Sequence, residues 1–79
     1  MYHTYIIQSK LDKTYYVGIT EDLVKRLKQH NSNSSKYTSS KAPYQLVWYG
    51  AFTTKEKALN FEKYLKSSSG FAFRNKHLV

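Results

Sequence analysis

Not one cysteine occurs in the 79 residues of this chain, so neither a disulfide nor a thiolate metal site can hold it together, and stability has to come from packing. A domain of this size buries only about 60% of the surface its unfolded chain exposes. That leaves room for a single domain, residues 1–79. A core can still be built, because aromatic residues make up 16% of the chain, and the eight tyrosines among them bring polar handles into it. No apolar run approaches the roughly 20 residues of a membrane span, and MYHTYIIQSK alternates polar with apolar residues instead of forming a signal-peptide core. The expectation is a soluble protein of the reducing cytoplasm. Its formal net charge of +8 attracts polyanions, nucleic acid first among them. Lysines that merely keep a small protein soluble are the plain alternative, and an anionic membrane is disfavoured because no helix pairs a basic face with an exposed bulky apolar one.

YHTYIIQ and TYYVGIT are rich in tyrosine, isoleucine, valine and threonine, and SKLDK between them has turn chemistry around Asp12, so the pair reads as a β-hairpin. From Thr20 as N-cap, TEDLVKRLKQHN reads as a helix with acids in its first turn and Lys28 and His30 near its end. The serine-rich SNSSKYTSSKAPY has no periodicity and reads as a mobile surface loop. QLVWYGAF is apolar on both alternating faces, which predicts a strand in the middle of a sheet, paired with the hairpin. Thr53 and Glu56 fit a capping box that opens a second helix through KEKALNFEKYLK, ending near SSSG with Gly70 as its C-terminal cap. FAFRNKHLV adds a helical turn or two. The order is β-β-α-β-α with a short tail, an α+β domain.

Glu62 is the residue out of place. At about 100° per residue it falls inside the apolar arc of its helix, near Ala58, Phe61 and Leu65. The other four acids have local work: Asp12 in the turn, Glu21 and Asp22 at a helix start, Glu56 in the capping box. A buried carboxylate without a partner costs several kcal/mol. Either Glu62 pairs with a lysine or arginine from a neighbouring element, or it offers a single-carboxylate site to Mg²⁺ or Mn²⁺ that substrate phosphate would complete. On the first helix Arg26 and His30 stack along one border of the buried stripe. Arg26 is either a snorkelling surface cation or a guanidinium aimed at phosphate, and His30 either a helix-terminal cation or a catalytic group. In the second strand Tyr16 and Gly18 share a face, and a glycine inside a strand marks a bulge or a close approach by another group. Tyr5, on the facing strand, can reach the same surface.

Tyr5, the YVG that begins at Tyr16, Arg26 and His30 on one helix and Glu62 on another together resemble the GIY-YIG nuclease superfamily. Within it the chain looks like the small single-domain bacterial members similar to the catalytic module of the excision-repair nuclease. The resemblance runs from about Tyr2 to the C-terminus and rests on YYVGIT followed by LVKRLKQHN. It implies a small three-stranded, mostly antiparallel sheet flanked by helices, β-β-α-β-α-α. It further implies an endonuclease that hydrolyses DNA phosphodiester bonds with one divalent ion, Mg²⁺ or Mn²⁺, in repair or recombination. Glu62 matches the metal-binding glutamate, Arg26 the phosphate-stabilising arginine, Tyr16 and Tyr5 the motif tyrosines, and His30 a histidine frequent in this subgroup. The first motif here is HTY instead of Gly-Ile-Tyr, which keeps the tyrosine. Asn75 is the candidate for the family's late asparagine. Water, or alternatively a tyrosine oxygen, would attack phosphorus, Tyr16, directly or through Tyr5, would take the water's proton, and Arg26 would stabilise the transition state. Lys36 and Lys41, with Tyr37 stacking on a base, are candidate substrate contacts. The competing readings are a catalytically silent nucleic-acid-binding module and a subunit awaiting a protein partner; RNA stays open as a substrate.

Overall fold

The computed structural model describes residues 1–32 and 41–79. Its elements run β1 (Tyr2–Ser9), β2 (Tyr15–Thr20), α1 (Leu23–Asn31), β3 (Tyr44–Phe52), α2 (Lys55–Lys66) and α3 (Ser68–His77). The SKLDK link closes the hairpin around two side chains. Ser9 Oγ accepts from the amides of Leu11 and Asp12, Asp12 Oδ1 accepts from the amide and hydroxyl of Thr14, and Lys13 takes the left-handed conformation at φ 65°.

Both sheet pairings are antiparallel and the strand order is β2-β1-β3. The three-stranded α+β architecture is therefore as expected, with one correction: β3 lies at an edge and β1 takes the middle. An apolar pattern on both faces reports cover above and below a strand and carries no information about its lateral neighbours. The β1–β3 register shifts between Ile6 and Ile7, and Val47 is the residue passed over. As a result Val47 and Trp48, consecutive in sequence, both pack on the Ile6 side.

The two faces of the sheet hold separate clusters. Tyr5, Ile7 and Tyr44, with Tyr16, Leu23 and Leu27, pack beneath α1. Ile6, Val17 and Leu65, with Val47, Trp48, Phe61 and Leu78, pack beneath α2 and α3. The Thr4 hydroxyl fixes α2 to the central strand by donating to the Ala58 carbonyl at 2.7 Å.

The caps depart from expectation by a residue or two. Asp22, not Thr20, caps α1 by accepting from the Lys25 amide, while Thr20 folds back onto the Asp22 backbone. Thr54, not Thr53, caps α2 through the Lys57 amide, which puts Glu56 in the first turn but outside a capping box. Gly70 caps nothing. Ser67 ends α2 and in turn caps α3 by accepting from the Gly70 amide, so the tail is a ten-residue helix. Gly70 is required there because a Cβ would drive into the Tyr64 carbonyl. Among the described residues no helix is long and apolar enough to cross a membrane.

Candidate active site

Tyr5 stands in the middle strand opposite Gly18 of β2, and its hydroxyl fills the space a side chain at 18 would need, since a Cβ there would lie 2.6 Å from Tyr5 Oη. The close approach expected at Gly18 is thus by a phenol. The Tyr5 ring is only 2% exposed. Tyr16, on the same face, sets its ring edge-on to His30 with centroids 5.1 Å apart and lies 6.4 Å from the Tyr5 ring.

α1 crosses this face and delivers Arg26 and His30 one turn apart. Arg26 Nε donates to Tyr5 Oη at 3.3 Å, and the same oxygen lies 2.9 Å from His30 Nε2. A guanidinium can only donate; with His30 in the tautomer that leaves Nε2 bare, the hydroxyl donates its hydrogen bond to the imidazole. The helix end is held over the sheet by Asn31, whose side chain bonds both the amide and the carbonyl of Tyr44.

Burial and the neighbouring Arg26 charge lower the His30 pKa to about 4, so the imidazole is neutral near pH 7. Of the two sequence readings of His30, the helix-terminal cation therefore does not hold: His30 is fully buried because α1 turns it onto the sheet among Tyr5, Tyr16 and Tyr44. Burial raises the Tyr5 pKa, the bonded Arg26 opposes this, and the negative charge of Glu62 adds to the rise. Around Arg26, burial disfavours the charge, but the hydrogen bond and field of Tyr5, followed by those of Tyr16, outweigh it and raise its pKa. The guanidinium is held charged and aimed.

Glu62 lies on α2, on the side whose field reaches Tyr5. Its side chain is 16% exposed, and Lys66, four residues on, pairs with it at 3.1 Å. The ion-pair alternative is thus realised within α2 itself, and the field of the carboxylate on Tyr5 is what links this helix to the tyrosine cluster. Among the described residues no three His, Asp or Glu side chains converge on a common point. One solvent-reached carboxylate suits a hard divalent ion that keeps most of its waters and does not suit zinc, so the donors fit Mg²⁺ or Mn²⁺ held by Glu62 alone.

The four remaining candidates are Lys36, Tyr37, Lys41 and Asn75. Lys36 and Tyr37 lie outside the described residues. Lys41 pairs with Asp12 of the hairpin turn at 3.4 Å. Asn75 accepts from Arg74 Nε and Nη2, both at 3.3 Å, and has no hydrogen bond to the tyrosine cluster. Arg74 was not singled out in the sequence; it is buried, stacked over Tyr15 and Phe71 at 5.0 and 4.6 Å. Gln29 was also missed: its Oε1 accepts from Arg26 Nη1 at 3.0 Å, and its i,i+3 spacing from Arg26 was the available signal. Nothing in the sequence marked Tyr44 as the ring that closes on His30.

The family model for the GIY-YIG catalytic domain matches residues 1–76. The chain is 40% identical to the UPF0213 protein YazA of Bacillus subtilis (strain 168) over 63 residues, which is 78% of this chain and 63% of YazA. It is 40% identical over 65 residues to the UPF0213 protein SpyM3_1077 of Streptococcus pyogenes serotype M3, covering 81% of this chain and 70% of that one. The solution NMR structure of the UPF0213 protein BH0048 from Bacillus halodurans superposes with a TM-score of 0.57 at 34% identity, covering 96% of this chain and 84% of the other.

Proposed function

The chain belongs to the GIY-YIG nuclease family, and on that premise we propose that it is an endonuclease hydrolysing phosphodiester bonds in DNA, in repair or recombination, with the reaction centred on Tyr16, Arg26 and Glu62. The observation that carries this reading is the bonded set Arg26–Tyr5–His30, with Tyr16 against it and Glu62 in its field. Arg26 presents a fixed positive charge where a phosphate's equatorial oxygens gather charge, an interaction worth about 3 kcal/mol when preorganised. Tyr16, less buried than Tyr5 and touching Arg26, takes the proton of the attacking water at its phenolic oxygen, and the guanidinium stabilises the phenolate that does so. Tyr5, buried and with a raised pKa, stays a phenol and positions Arg26. Neutral His30 in turn fixes the Tyr5 hydroxyl. A divalent ion, when bound at Glu62, supplies Lewis-acid stabilisation of the leaving oxygen.

Supercoiled and single-stranded DNA incubated with Mg²⁺ or Mn²⁺ should be nicked or cut by the wild type, and Glu62→Gln and Arg26→Ala should lower the rate by a hundredfold or more while circular dichroism stays unchanged. The Glu62–Lys66 pair is the observation that favours the other reading, a silent binding module whose carboxylate is already neutralised. DNA binding without metal-dependent cleavage by the folded wild type would decide for that module.

A further inference from the structure

The flank of α2 turned away from Glu62 holds an open groove lined by Phe52, Lys57, Asn60, Phe61 and Tyr64. Its rings form a row. Phe61 packs on Trp48 and Phe52 at 5.5 and 5.6 Å, Tyr64 lies 6.1 Å from Phe61, and Phe73 of α3 follows 6.0 Å from Tyr64. Trp48 and Phe61 close the core beneath α2, whereas Tyr64 and Phe73 are 41% and 37% exposed and project past it. No acid lines the groove. Around the exposed side of the helix, at about 100° per residue, Lys57 borders the groove, Lys63 stands on the crest and Lys66 lies beside Glu62; Glu56 is the one acid on that side.

We propose that this groove receives an unpaired base of a nucleic-acid strand whose phosphates cross the lysine-bearing outer side of α2 to reach Glu62. The crossing rests on the cleavage reading above and assigns a substrate class: nucleic acid with a single-stranded segment beside the cut. Ring faces accept any base, which suits them to unpaired nucleotides, while a base inside a duplex stack cannot reach them. The lysines supply the charge complement for the backbone, with no acid in the groove to repel it.

Trp48 is the only tryptophan in the chain and packs on Phe61, so its fluorescence reports what enters the groove. Titration with a twelve-residue oligothymidylate in EDTA, where no metal-dependent cutting occurs, should quench Trp48, and the same sequence as a duplex should bind about tenfold or more weakly. Tyr64→Ala and Tyr64→Leu, the second keeping apolar bulk, should each weaken oligonucleotide binding about tenfold, and Tyr64→Phe should bind as the wild type does. Lys63→Ala should flatten the salt dependence of binding. Equal affinity for duplex and single strand, unaltered binding by Tyr64→Leu, or quenching by anionic phosphatidylserine vesicles and not by the oligonucleotide would each overturn the proposal. If the wild type cuts DNA and Trp48 does not respond, the groove is refuted and the cleavage reading survives; if Trp48 responds and nothing is cut, the cleavage reading falls and the base-binding groove stands.

Discussion

His30 shows how one residue links the site to the stability of the fold. Its pKa in the folded chain is lowered from 6.5 to about 4, so above pH 6.5 the imidazole is neutral in both states and adds no pH dependence. As pH falls from 6.5 towards 4 the unfolded chain takes up the proton first and stability is lost, by about 3 kcal/mol at most. Urea midpoints at pH 7, 5.5 and 4.5 should therefore drop for the wild type and stay flatter for His30→Gln. Asp12, lowered to about 2 by its bonds to Thr14 and by Lys41, acts only below pH 3.8 and leaves this window clear. Gly18→Ala tests the neighbouring contact. Its methyl group must displace a Tyr5 hydroxyl tied to two partners, so a loss of about 1–3 kcal/mol in stability should accompany loss of cleavage, read by thermal melts and nicking assays. Helical angles in the sequence correctly placed Arg26 beside His30 and Glu62 towards the core. They do not give the depth of burial, which is why the sequence leaves His30 open between a helix-terminal cation and a catalytic group. The sequence reading places the partner of Glu62 on a neighbouring element, whereas the structure supplies it from the same helix, where the i,i+4 spacing of Lys66 was the available signal.

At the scale of elements, the two short links that set the helices in place are the sensitive points. Asp22→Ala removes the α1 cap and should cost about 1 kcal/mol, tilting Arg26 and His30 before the sheet is affected. Gly70→Ala should cost more, on the order of 3 kcal/mol, because its Cβ meets backbone and not a movable side chain. A shift of the thermal midpoint no larger for Gly70→Ala than for Asp22→Ala would contradict that ranking. The hairpin, both long helices and the assignment of Tyr16 and Val17 to opposite faces were legible, since period-2 and period-3.6 patterns report which side is covered. Cap positions were less so, because Thr20, Asp22, Thr53 and Thr54 are chemically equivalent candidates within two residues of each other. α3 was the least legible: FAFRNKHL lacks a clear apolar stripe, and its start depends on Ser67 serving two helices.

For the molecule as a whole, the +8 charge predicts that nucleic-acid affinity falls linearly on a log–log plot against salt, with a slope of roughly −0.7 per phosphate contacted on a single strand. Fluorescence anisotropy between 50 and 200 mM salt measures this, and a flat line would mean the lysines serve solubility alone. The margins of the sheet are unequal. β2 carries Tyr16 and lends the gap at Gly18 to Tyr5, so its outer rim borders the chemistry, whereas β3, whose nine residues bear no charge, meets the cluster only through Tyr44 at its first position. Any larger architecture that grows from this scaffold by adding strands therefore has one free direction of extension, outward from β3; growth on the opposite rim would wall in the tyrosines.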